Sequence, residues 1–303
     1  LHNPTRCDVN TIVSAPTGVP LSTVTLPSGR RIAYESYGAL EGAPVLFFQG
    51  TPSSRLMHPP DAITNEQNVR LVVIDRPGFG GSDPAPGRTL LNWAEDVGYV
   101  MDHLQLAKFR VVGVSGGAPY ALATAWRWPD RVLAGCVCAG SGPLDVPGAL
   151  RGAAMSRQAG YWVARRWPWL LRRAIRRQTQ QSIEEFARRY TAHNPAADQA
   201  LIAQPEFRAM YVANLKEGLR QGWQAFAADV MLVARPWGFD LGEIRVPVHF
   251  WHGDRDTSTP LAMSEGMAAR IPRSALTTLA GHGHLFVFGP LWRPILTDLL
   301  TTG

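Results

Sequence analysis

The sequence predicts an α/β fold: a mostly parallel central sheet flanked by helices, with a helical insertion after its fourth parallel strand. Three observations carry that expectation. Six short apolar runs rich in β-branched residues recur along the chain. Helical stretches alternate with them, and such alternation implies parallel strands covered on both faces. One long stretch, 141–240, breaks the alternation and holds no strong strand run.

Taken in order, LSTVTLP and RRIAYESYG alternate in polarity, and Pro27-Ser28-Gly29 between them is turn chemistry, so they read as an antiparallel hairpin. Strands are then expected at 44–50 (PVLFFQG), 70–75 (RLVVID), 109–115 (FRVVGVS), 131–140 (RVLAGCVCAG), 246–253 (VPVHFWHG) and 274–280 (SALTTLA). Helices are expected at 89–106, 117–128, 259–270 and 285–301. Within the insertion, Leu170, Leu171, Ala174, Ile175, Ile183, Phe186, Ala187 and Tyr190 recur at helical spacing. Glu184 with Arg188, and Glu185 with Arg189, form i,i+4 pairs there. The expected organisation is a core of residues 1–140 and 241–303 carrying a helical cap at 141–240.

Composition bounds the class. A chain of 303 residues with 46% hydrophobic and 18% charged side chains is globular and long enough to bury a core. No apolar run reaches the roughly 18 residues of a membrane-spanning helix. The opening LHNPTRCDVN lacks the apolar stretch of a signal peptide, so a cytoplasmic protein is expected, with secretion after removal of a signal as the alternative. Three cysteines, Cys7, Cys136 and Cys138, do not make a disulfide framework. Cys136 and Cys138, two apart on a strand, read as small buried thiols on one face rather than a zinc or redox pair.

The net charge of +6 is unevenly spread. Residues 151–190 hold ten arginines against Glu184 and Glu185, so this stretch carries +8 and the remainder −2. Charge confined to one segment does not suggest nucleic acid. The arginines read as a solvated helix face, or alternatively as a surface for an acidic substrate or partner, or for an anionic membrane.

The chemistry centres on VVGVSGGAPY. Gly113-Val114-Ser115-Gly116-Gly117 is a G-x-S-x-G between a strand and a helix, where a sharp turn projects the serine hydroxyl above the sheet. The same turn places the Gly116 N–H at a helix N-terminus, where an oxyanion would form. On residues alone the alternative is a tight turn with no chemistry.

Four further segments accompany this elbow in order: QGTPSSR (49–55), DRPGFGGSD (75–83), HGDRDTSTP (252–260) and GHGHLF (281–286). Together they resemble the α/β-hydrolase superfamily over nearly the whole chain, as a capped, esterase-like serine hydrolase. The resemblance implies a triad in the order Ser115, Asp256, His284. A serine needs a base to take its proton, histidine titrates near working pH, and a carboxylate fixes the imidazole tautomer. Asp256 fits the spacing from Gly253 and to Pro260; Asp254 and Asp145 compete for the role. Of the two terminal histidines, His284 precedes the large apolar Leu285 as the family's base does, whereas His282 precedes Gly283 and reads as a loop neighbour lining the entrance.

The resemblance also implies that the N–H groups of Thr51 and Gly116 form the oxyanion hole, Pro52 having no N–H to give. The departure is Gln49, where the family usually has histidine. An amide can hold the loop by hydrogen bonds as the imidazole does, or Gln49 can reach the substrate. The DRPGFGGSD segment lacks a phosphate-loop pattern and reads as structural. A zinc site from His282, His284 and Asp256 would leave the elbow unexplained. Trp162, Trp167, Trp169, Phe207, Trp223, Phe226 and Trp237 in the insertion mostly pack it onto the core, while Trp223 and Phe226 are candidates for the pocket wall.

These features imply hydrolysis of a small or medium, apolar or ring-bearing ester, lactone or related acyl compound through an acyl-enzyme, with no cofactor or metal. The alternatives keep the triad for carbon–carbon bond hydrolysis, removal of N-terminal proline or a biosynthetic rearrangement, or lose turnover altogether in a ligand-binding protein. An arginine-rich insertion has no acidic cluster for an α-ammonium group, which disfavours the peptidase.

Overall fold

A computed structural model describes residues 21–302 apart from Pro147 and Ala154; Cys7 lies outside the described residues. Strands β1 (Ser22–Thr25), β2 (Arg31–Gly38), β3 (Ala43–Phe48), β4 (Val69–Ile74), β5 (Phe109–Val114), β6 (Val132–Cys138), β7 (Val248–Gly253) and β8 (Ser274–Leu279) form one sheet. Their order is β1-β2-β4-β3-β5-β6-β7-β8. β1 pairs antiparallel with β2, Ser22 opposite Tyr34 and Thr25 opposite Arg31, and β2 pairs antiparallel with β4. The remaining neighbours are parallel. All eight expected strands are present within a few residues.

The sheet separates two apolar layers because its strands are buried on both faces. On β3, Val45 and Phe47 join one layer while Leu46 and Phe48 join the other. Helices α2 (Leu90–His103) and α3 (Ala118–Arg127) cover the Leu46 side, and α11 (Trp292–Thr301) covers the Val45 side. A capping box between Thr89 and Asn92 starts α2. Cys136 and Cys138 share one face, their sulfurs 3.7 Å apart. The Cys138 hydrogen bond and burial push the Cys136 thiol well above its usual range.

Two expectations change in detail. The C-terminal helix begins at Trp292 rather than 285, after a short 3-10 turn at Phe286–Phe288. Pro294 explains the late start: a residue without an N–H is tolerated only in a helix's first turn. A short helix, α1 (Asp61–Glu66), stands between β3 and β4 where no helix was expected.

Between β6 and β7 lie α4 (Met155–Arg166), α5 (Pro168–Gln178), α6 (Ile183–Thr191), α7 (Ala196–Ile202), α8 (Pro205–Gly218) and α9 (Gln224–Ala234); α10 (Leu261–Ala268) follows β7. The apolar periodicity from Leu170 to Tyr190 is split between α5 and α6, because Ser182 caps α6 by accepting the Glu185 N–H at 3.2 Å. Arg188 pairs with Glu185 at 2.6 Å instead of Glu184, and Arg189 also pairs with Glu185. Half-buried Glu185 reaches both positions one turn on. Phe79, Ile175, Phe186, Leu215 and Phe226 form a third apolar cluster that ties these helices to the loop after β4.

Candidate active site

β5 ends at Val114 and passes through a 3-10 turn, Ser115–Gly117, into α3. Ser115 has a φ of 53°, in the left-handed region where a residue bearing a Cβ is strained by about 1–3 kcal/mol. The turn has no room for side chains: a Cβ on Gly117 would stand 2.0 Å from the Phe48 carbonyl oxygen. Close packing thus holds Ser115 at the strand's end, half-buried, at the base of a cavity.

His284 and Asp256 meet here from loops 28 residues apart, Nδ1 and Oδ2 separated by 2.7 Å. Asp256 also accepts the Ser258 and Thr259 N–H groups at 2.7 and 3.0 Å and the Thr259 hydroxyl at 2.9 Å. Burial by itself would raise the Asp256 carboxyl, but the adjacent His284 and the hydrogen bonds from His252 and His284 win, holding it far below the usual carboxylate range. The competing acids lie elsewhere. Asp254 accepts the Gly281 N–H at 2.8 Å, and Asp145 is exposed on the loop after β6.

A depressed carboxyl contributes stability above its unfolded-state pKa of about 4 and loses it as pH falls through the folded value. Urea unfolding of the native chain should therefore show stability dropping steeply below about pH 4, and Asp256→Asn should flatten that slope. A variant with an unchanged acid limb would show that Asp256 is not the group responsible.

His284 is gripped by a residue the sequence did not bring forward. Asp198 of α7 accepts the backbone N–H of His284 at 2.8 Å and of Leu285 at 3.0 Å. Gly283 permits the approach, since a Cβ there would lie 2.4 Å from Pro195 and 2.5 Å from the Asp198 carboxylate. His282, by contrast, turns onto its own loop, with Nδ1 2.9 Å from the Ala280 carbonyl oxygen. His252 is a second unexpected neighbour, fully buried with Nε2 3.4 Å from Asp256 Oδ2.

The loop after β3 runs beside the elbow: the Thr51 nitrogen is 3.5 Å from the position a Gly116 Cβ would take. A buried charge cluster holds this loop. Arg76 donates to the Gln49 and Gly50 carbonyl oxygens at 2.6 and 2.7 Å and to the Thr51 hydroxyl at 2.8 Å. Its Nε donates to Asp229 of α9 at 2.8 Å. Asp229 also accepts Thr51 Oγ1 at 2.9 Å and the Tyr120 hydroxyl at 2.7 Å, and pairs with Arg88. Burial would raise the Asp229 carboxyl, but Arg76 and Arg88 lower it below the ordinary range. The Gly50 carbonyl belongs to the same peptide unit as the Thr51 N–H, so a cation on the oxygen strengthens that N–H as a donor.

Two cavities meet at Ser115. The larger, about 450 Å³, is bounded by Thr51 and Gly116 below and by Leu171, Gln178, Gln181 and Phe186 of the insertion. The smaller, about 70 Å³, lies between Ser115, His284, Met57 and Phe288. Four residues expected at the pocket sit outside both linings. Gln49 is buried and donates to the Ile74 carbonyl at 2.9 Å, tying its loop to β4. Phe226 packs behind Phe186 and Tyr190, and Trp223 lies under Arg172. With His282 turned away, the rings that line the larger cavity are Tyr161, Phe186 and Tyr190 rather than Trp223 and Phe226.

Asp229 leaves a trace in sequence, as the lone acid within the apolar run from Ala225 to Val233. Asp198 leaves none, because its partners are 86 and 87 residues away.

The model of the alpha/beta hydrolase fold family matches residues 43–290. The chain is 32% identical over 219 residues to the pimeloyl-(acyl-carrier protein) methyl ester esterase of Aromatoleum aromaticum, covering 69% of this chain and 77% of that one. It is 32% identical over 105 residues to the proline iminopeptidase of Neisseria gonorrhoeae, 34% of each chain. The first curated relatives are matched over little more than a third of their length, 38% and 34%. Among solved structures, a thermophilic esterase from Thermogutta terrifontis is 26% identical with a TM-score of 0.63, covering 92% of this chain and 97% of that one.

Proposed function

Because the chain belongs to the alpha/beta hydrolase family, we propose that it is a serine hydrolase of carboxylic esters or lactones, with Ser115 as nucleophile, His284 as base and Asp256 as the acid orienting it. The observation that carries this reading is the 2.7 Å contact between His284 Nδ1 and Asp256, beside a serine held at positive φ on the same cavity wall. With Nδ1 engaged by the carboxylate, Nε2 takes the Ser115 proton as the oxygen attacks the carbonyl carbon. The N–H groups of Thr51 and Gly116 receive the oxyanion. Collapse of the tetrahedral species expels the alcohol, protonated by His284, and a water activated by the same imidazole then releases the acid.

Residues 141–240 act in this reading as a cap over the nucleophile. The unequal cavities favour an ester whose carbonyl carries one bulky and one small substituent. The esterase names of two relatives agree with this assignment. Among the described residues no carboxylate lines the larger cavity, so it offers no counter-charge to the α-ammonium of an aminopeptidase substrate.

The test is a hydrolysis screen in which acyl and alcohol lengths are varied independently, with Ser115→Ala as control. Expected is tolerance on one side of the carbonyl and a sharp decline beyond about two carbons on the other, each lost methylene contact or clash costing about 1–3 kcal/mol. Equal tolerance on both sides would sink the assignment of the two cavities. Turnover of vinylogous diketones without any ester would replace the esterase reading by carbon–carbon bond hydrolysis.

A further inference from the structure

Helices α4 and α5 have two unlike faces. On α5, Leu171, Ile175 and Gln178 share the inner side, where Ile175 is buried and Leu171 and Gln178 line the larger cavity. Trp169, Arg173, Arg176 and Arg177, at i, i+4, i+7 and i+8, share the opposite side and are exposed, Trp169 by 66%. On α4, Gly160 and Tyr161 line the cavity while the next residue, Trp162, is 56% exposed, followed by exposed Arg165 and Arg166. Met155, at the start of α4, is 86% exposed.

We propose that this outer face docks on an anionic lipid bilayer, so that an acyl substrate dissolved in the membrane enters the cavity between the same two helices. The route into the cavity rests on the hydrolase reading; the docking does not. Charge is the first argument. No acidic residue occurs from 151 to 183, and Glu185 is taken by Arg188 and Arg189. Among the described residues Arg165, Arg166, Arg173, Arg176 and Arg177 form no ion pair. Such a single-sign surface is complementary to anionic headgroups.

Indoles supply the second argument. Leaving large apolar side chains in water is unfavourable, whereas tryptophan sits well at the depth of lipid headgroups. Exposed tryptophans flanked by arginines, on short helices that lie across the surface, are the composition of an interfacial helix. Continuity points the same way: the helices that would touch lipid outside, α4 and α5, also line the cavity inside through Tyr161, Leu171 and Gln178, so the docked face lies directly over the cavity.

Co-sedimentation of the full chain with vesicles tests this, comparing phosphatidylcholine alone with phosphatidylcholine and phosphatidylglycerol at about 7:3. Expected is binding to the anionic vesicles only, weakened by salt. At about fivefold per arginine, Arg173→Glu with Arg177→Glu should weaken it roughly 25-fold or more while leaving hydrolysis of a short soluble ester unchanged. Trp169→Ser should remove the salt-resistant part. Wild-type protein that ignores anionic vesicles, or a double variant that binds as well as wild type, overturns the proposal. Capture by an acidic protein domain without vesicle binding overturns it too. Vesicle binding lost while soluble esters are still cleaved refutes docking alone, and vesicle binding without any hydrolysis refutes the enzyme reading alone.

Discussion

Replacing Ser115 by alanine should lower turnover of the ester substrate about 10⁴-fold or more and abolish labelling by a fluorophosphonate. The reason is chemical: no other hydroxyl stands at the end of β5 on a strained turn with its neighbour's N–H opening a helix. His284→Ala should fall into the same range, since in the proposed mechanism His284 takes the serine proton and removing either group ends that transfer. His282→Ala should retain most activity, because that ring bonds to its own loop at Ala280 rather than to Asp256. Active-site titration with the fluorophosphonate, followed by steady-state kinetics on folded variants, checks all three. Folded wild-type protein that resists labelling would remove Ser115 from the role, and an inactive His282→Ala beside an active His284→Ala would exchange the two histidines.

Asp229→Ala should be the most damaging substitution for stability, costing about 3–5 kcal/mol. It strips the buried partner from Arg76 and Arg88 and leaves their guanidinium groups without a counter-charge. Thermal unfolding should fall by roughly 10 °C for a chain of this size. Asp229→Asn keeps the shape and removes only the charge, so it separates folding from chemistry. Arg76 would then grip the Gly50–Thr51 peptide less firmly, and in the proposed mechanism the Thr51 N–H serves the oxyanion more than the ground-state ester. Its kcat should fall while KM changes little. Wild-type melting and wild-type kcat in Asp229→Asn would show that the cluster neither supports the loop nor tunes it.

Much of this molecule is written locally. Eight strands, the G-x-S-x-G turn and the loop histidine are legible because each depends on a period of a few residues or on a glycine at a tight corner. Gly117 beneath Phe48 and Gly283 against Asp198 are such corners, although only packing shows what presses on them. Legibility fails where a side chain answers to a distant element. The aromatic residues of the insertion suggested a ring-lined pocket, and rings do line it, but they are Tyr161, Phe186 and Tyr190 while Trp223 and Phe226 pack elsewhere, because helix rotation decides which face looks inward.

By itself the sequence determined the fold class, the strand order along the chain, the family and the candidate serine and histidine. These follow from backbone periodicity and from motifs that are short because a turn is short. Spacing in the sequence also favoured Asp256 over Asp254 and Asp145, and Asp256 is the acid that meets His284. Only the tertiary structure decided that Asp198 and Asp229 reach from the insertion into the core, and that two unequal cavities meet at Ser115. Contacts between residues 86 to 178 positions apart arise from how helices pack on the sheet, and packing depends on the shapes of many side chains at once rather than on any local pattern.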